Sequence, residues 1–224
     1  MIKIRQVLAA RVVRQVSAGQ LGELRSDTVK KLQERYKFLK VPTTYEELFP
    51  TDPNQGIKFE QGTFTPEDGK TPIIVELFQL LPNLILVQTK DSTDSAAAFL
   101  EDYVQNANRS HPDTIRLFGP PLYGSELEFL WDKTVDRCAP LMTATAQRLD
   151  SLVTSYGSQV SRYRIASIVV NFNGLGLDGV VPAHFSVEWR TGIPDAEKLF
   201  FSLAPVRTSD HIALLETLDR DMHG

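Results

Sequence analysis

A single cysteine, Cys138, in 224 residues removes two classes of protein at once. No intrachain disulfide can form, and no thiolate cluster can hold a metal. The expected setting is reducing and cytoplasmic. Histidine is scarce as well. His111, His184, His211 and His223 are widely separated, and no pair has the short helical or strand spacing of zinc ligands. Neither a metal nor a cofactor is expected. Long apolar runs are missing too. "IIVELFQLLPNLILV" and "RIASIVVNF" are broken by charge, proline or polar residues before the roughly eighteen positions a bilayer requires, so no membrane span is expected. The first 22 residues hold Lys3, Arg5, Arg11 and Arg14 and no acid. Arg11 and Arg14 interrupt the only stretch resembling a secretory signal, and this charge pattern is nearer that of a mitochondrial presequence.

What is present is enough apolar material for a core. The chain is 42% hydrophobic and 23% charged, the composition of a folded protein of one large domain or two small ones. Its net charge of −4 is unevenly spread. Residues 1–40 carry ten Lys and Arg against three acids, a local balance of +7, while the remainder carries 14 against 25, a balance of −11. A basic end on an acidic body suits nucleic acid, an acidic partner or the acidic body of a second copy. The bland alternative is a set of charges scattered over solvated faces.

In "MIKIRQVLAARVV", Ile2, Ile4, Leu8, Ala10 and Val12 share one strand face, with Lys3, Arg5 and Arg11 on the other. "SDTVKKLQERYKFLK" predicts a helix, capped by Ser26 or Asp27, with Val29, Leu32, Tyr36 and Leu39 on one stripe. Lys30, Lys31, Arg35 and Lys37 take its remaining surface. Together Lys3, Arg5, Arg11, Lys30, Lys31, Arg35 and Lys37 form a candidate binding face, with Tyr36 and Phe38 interleaved among the cations.

Residues 41–70 are punctuated by proline and glycine and read as loop, with a capping box at Thr43 or Thr44 and Glu46 or Glu47. "IKFEQGTFT", "PIIVELFQL" and "LILVQTK" predict strands, the last two joined at Pro82-Asn83, and "STDSAAAFLEDYVQNA" a helix. The prolines and glycines of residues 109–124 mark a break. Beyond it, Ser125 with Glu128 reads as a second capping box, opening a helix that carries Leu127, Leu130, Trp131, Val135 and Cys138. Pro140 restarts a helix running to about Tyr156. "YRIASIVVNF", "HFSVEWR" and "KLFFSLAPV" predict strands, and "TSDHIALLETLDRDM" a closing helix. "LILVQTKDSTDSAAAFLEDYV" and "LFFSLAPVRTSDHIALLETLD" share one coarse layout, read as a duplicated unit or as convergence on common turn chemistry.

Three short motifs invite chemistry. Ser209, Asp210 and His211 are adjacent, but neighbours on a first helical turn point in different directions, so the stretch reads as a helix start. Gly174, Gly176 and Gly179 spell G-x-G-x-x-G after a strand. A dinucleotide site also needs a helix to open there, and "VVPAHFSVEW" is a strand pattern, leaving a glycine-rich loop able to contact a partner. His111-Pro112-Asp113 resembles the tripeptide of J-domain co-chaperones, but the preceding helix is not basic and "FGPP" follows, so it reads as a helix stop.

The expected fold is α+β: an antiparallel sheet, or two related smaller sheets, covered by helices, with two βββα-like halves at 1–117 and 118–224 that could form one compact domain. No catalytic residues emerge. The leading functional expectation is a non-enzymatic structural or interaction protein, an accessory subunit of a larger assembly that binds a protein partner or itself. The alternatives are a small-molecule enzyme with a site in the cleft between the halves, and a nucleic-acid-binding accessory protein using the basic N-terminal region.

Overall fold

The computed structural model describes residues 1–17, 26–52, 55–66, 71–110, 115–133, 135, 140–155, 165–171, 183–190, 192 and 197–222. Its elements run β1 (Ile2–Val16), α1 (Ser26–Tyr36), α2 (Tyr45–Leu48), β2 (Ile57–Phe64), β3 (Ile73–Leu80), β4 (Leu84–Thr89), α3 (Thr93–Ser110), β5 (Leu117–Trp131), α4 (Pro140–Ser155), β6 (Ser167–Val170), β7 (Phe185–Trp189), β8 (Leu199–Ala204) and α5 (Thr208–Asp221). The fold is α+β, with an antiparallel sheet of order β2-β3-β4-β1-β5-β8-β7-β6. Matching β1–β4 to β5–β8 makes that order the same from either end. Each half is strand, helix, three strands, helix, and α2 is the first half's addition.

The repeated element order has one dominant offset. Thr93 and Thr208, which open α3 and α5, lie 115 residues apart. The same shift carries Ile2–Val16 onto Leu117–Trp131, and Leu84–Thr89 onto Leu199–Ala204. Here the structure corrects the sequence. Ser125 and Glu128 cap no helix; they lie inside β5, a strand of 15 residues. Leu127, Phe129 and Trp131 alternate into the core, a period of two that outweighs the local capping signature.

The chain divides into two compact units, one of residues 7–125 with 206–208, the other of 1–6, 126–205 and 209–224. In the first, Val29 and Leu32 of α1 are buried with Tyr36, Phe38, Phe59, Phe64, Phe78 and Phe99 in one cluster. Phe38 lies so close to the β2 backbone that a Cβ on Gly62 would stand 2.5 Å from its ring, which is why glycine occupies that position. The helix predicted to reach Lys40 ends at Tyr36, and Lys37 turns left-handed at φ 53°. Leu39 therefore leaves the expected stripe and is 75% exposed. In the second unit, Phe200 stacks on Phe129 at 5.7 Å and meets Trp131 edge-on at 5.5 Å. The Trp131 indole donates to Asp219, whose carboxylate also pairs with the buried Lys133 ammonium at 3.2 Å. Among the described residues, no helix is long and apolar enough to cross a membrane.

Candidate functional site

The seven basic candidates separate once their partners are known. Arg35 grips Asp102 through two guanidinium nitrogens at 3.1 and 2.7 Å, and the buried Tyr36 hydroxyl donates to the same carboxylate at 2.6 Å. Partial burial alone would raise the Asp102 pKa, but the hydrogen bonds from Arg35 and Tyr36 and the guanidinium charge hold it below the usual carboxylate range. Arg5 lies 3.7 Å from the buried Glu128, which Arg190 and Gln6 also engage. Arg11 donates to Gln88 at 2.7 Å. Lys3, Lys30, Lys31 and Lys37 are exposed and take no partner among the described residues. Tyr36 and Phe38, interleaved with these cations in sequence, are both in the core, so neither ring is available to stack on a base.

Gly174, Gly176 and Gly179, together with Cys138, His111-Pro112-Asp113 and His223, lie outside the described residues. Among the described residues no group of three or more His, Cys, Asp or Glu is placed to hold a metal ion.

His211 does have a serine, but not its sequence neighbour. Its Nε2 lies 2.8 Å from the Ser202 hydroxyl of β8. Ser202 donates its one proton to the Ser186 carbonyl of β7 at 2.6 Å. The remaining contact therefore requires His211 Nε2–H to be the donor and Ser202 Oγ the acceptor. A histidine that donates to a serine cannot take that serine's proton, so the arrangement is the reverse of a nucleophile with its base. Ser186, Ser202 and His211 are all fully buried. In the duplicated frame Ser202 and His211 stand where the first half has the buried Val87 and Ala96.

Open surface lies elsewhere. In the first half, the residues after α1 pair with the edge strand β2: Lys40 and Glu60 exchange backbone hydrogen bonds at 3.2 and 2.9 Å, and their side chains form a 2.7 Å ion pair. Beside that bridge lies a cavity of about 360 Å³, lined by Lys40, Val41, Pro42, Gln55, Gly56, Lys58 and Glu60 and by Glu46, Glu47 and Pro50 of the α2 turn. The α2 turn is fixed by a capping box of Thr44 and Glu47. Hydrogen bonds from the Thr43 and Thr44 amides lower the Glu47 pKa. Gly56 takes φ 55°, and a Cβ there would lie 2.6 Å from the Leu80 carbonyl oxygen, so the cavity wall needs glycine.

In the second half, the helix between the first two strands differs in kind from α1. Where α1 buries Val29, Leu32 and Tyr36, α4 has no buried side chain among those described, and Met142, Leu149 and Leu152 are 56, 40 and 50% exposed. The edge strand β6 likewise presents Val169 at 46% and Val170 at 60%. Thr145, Leu149 and Leu152 of α4 are all exposed, and Tyr156 lies outside the described residues. Comparisons with protein-family models, with curated proteins and with solved structures give no match to this chain.

Proposed function

We propose that the chain is a non-enzymatic interaction protein, an accessory subunit of a larger assembly in a reducing, cytoplasmic setting. The assembly begins with a second copy of the chain meeting across α4 and β6. The observation that carries this reading is the solvent exposure of Met142, Leu149, Leu152, Val169 and Val170. Their counterparts in the element order of the first half include a helix packed into the core. Exposed apolar side chains and an open sheet edge are each ordinary marks of an association surface. An edge strand in an antiparallel sheet is self-complementary: two β6 edges related by a twofold pair antiparallel, and the contact closes on itself. The test is the native mass by size-exclusion chromatography with light scattering, at low and high salt. The expected result is a dimer that persists in high salt and reverts to monomer in Leu149→Glu with Leu152→Glu. A monomer at every concentration and salt, unchanged by these substitutions, overturns the reading.

The exposed Lys30, Lys31 and Lys37, which take no partner among the described residues, favour a second reading, an accessory nucleic-acid contact. It requires binding whose affinity falls steeply with salt and is abolished by Lys30→Glu with Lys31→Glu; no binding at low salt removes it.

A further inference from the structure

We infer that the cavity beside β2 is a slot for an extended peptide from a partner protein, added as a strand antiparallel to β2. This site is in the first half and uses none of the residues of α4 and β6. Lys40 and Glu60 exchange both backbone hydrogen bonds, so they are a hydrogen-bonded pair of an antiparallel ladder. Along such a ladder the next pair of this kind falls two residues on in each strand, opposing residue 42 to Lys58. Residue 42 is proline. It has no amide hydrogen to give the Lys58 carbonyl, so the chain's own strand stops one pair short.

The structure follows that arithmetic. The Lys40–Glu60 pairing is an isolated bridge, and no bond to the Lys58 backbone appears on the outer edge among the described residues. Pro42 and Lys58 instead face one cavity, of about 360 Å³, which is within the usual size of ligand pockets. Lys58 thus offers an amide and a carbonyl to a strand that has what Pro42 lacks, and main-chain hydrogen bonds are the source of affinity in strand addition. Charge narrows the guest further. Lys40 is engaged by Glu60 and Glu47 by the capping box, while the Lys58 ammonium and Glu46 carboxylate, both lining the cavity, take no partner among the described residues. The guest is therefore an extended segment with an acidic side chain to meet Lys58 and a basic one to meet Glu46.

The test titrates the ¹⁵N-labelled full chain with a capped peptide, acetyl-Thr-Val-Glu-Val-Lys-amide, up to about millimolar concentration, the range of weak strand addition. Amide shifts centred on Gly56 and Lys58 are expected. An analogue N-methylated at alternate residues keeps every side chain but loses the strand donors; its binding should fall at least tenfold. Lys58→Glu, an exposed substitution that leaves the core intact, should reverse the preference toward a peptide with lysine in place of glutamate. No shift at these amides, or equal binding of the methylated analogue, overturns the proposal.

Discussion

Thr93 and Thr208 cap one another: the Thr93 amide donates to the Thr208 hydroxyl oxygen at 3.1 Å, and the Thr208 amide to the Thr93 hydroxyl oxygen at 3.0 Å. Each hydroxyl occupies the place of an N-cap acceptor, but it serves the other helix. Both residues are buried, so an amide deprived of its acceptor has no water to turn to. Thr93→Val or Thr208→Val keeps the shape and removes one acceptor. Each single substitution should cost about 1–2 kcal/mol in chemical denaturation. The two bonds close a single ring, so the double variant should cost less than the sum by roughly 0.5 kcal/mol or more. Strict additivity would show that the caps act independently.

The Ser202 and His211 pair makes an asymmetric prediction. Ser202→Ala leaves the His211 Nε2–H buried without its acceptor and should destabilise by about 2 kcal/mol. Adding His211→Leu removes the stranded donor and keeps most of the volume, so the double variant should regain much of that loss. Thermal melts of Ser202→Ala, His211→Leu and the double variant check this. A double variant that loses the sum of both costs would mean that the hydroxyl's bond to the Ser186 carbonyl, not the imidazole contact, carries the stability.

Asp102 gives the protein an acid-sensitive term of known sign. Its pKa is lowered in the folded state, so the contribution is present above the ordinary carboxylate pKa and is lost as pH falls through the folded value. Asp102→Asn should cost on the order of 1 kcal/mol at neutral pH, given the partly exposed Arg35 partner. The gap to the parent should shrink below roughly pH 4, where unfolded aspartate begins to protonate. A gap that is constant from pH 7 to pH 3 would mean that the charge of Asp102 contributes nothing.

Much of this fold is written in local pattern. Alternation in residues 2–12 marks β1, and the proline-asparagine turn marks the β3–β4 hairpin. Ser125 and Glu128 show where local pattern misleads, because a capping box is four residues of chemistry and β5 is fixed by its place in a sheet. The better signal was the duplication itself. The 115-residue shift that aligns the two Thr-opened helices also lays β1 over residues 117–131. The site residues were harder to read for a different reason. His211 finds its serine nine residues back, on the preceding strand, and nothing in the adjacent Ser209-Asp210 points there. The gap at Lys58 needs both a visible proline and a strand register, and the register exists only once Lys40 meets Glu60. Phe38 sits among cations in sequence, but a glycine two strand positions beyond Glu60 made room for it in the core.

The contrast between α1 and α4 can be tested by truncation. Leu32 of α1 is buried among aromatic rings, so Leu32→Ala should cost about 3 kcal/mol through lost burial and the cavity left behind. Leu149 of α4 is 40% exposed, and in an isolated monomer Leu149→Ala should change stability by no more than about 0.5 kcal/mol. If a second copy covers α4, the cost of Leu149→Ala should grow with protein concentration, because association adds to the stability of the folded state by mass action. Unfolding midpoints for the parent and both variants over a hundredfold concentration range separate the cases. A concentration-independent cost near zero at Leu149 leaves α4 uncovered and removes the dimer. A large, concentration-independent cost would place Leu149 against its own chain, and the proposed association surface would then have no apolar helix to offer.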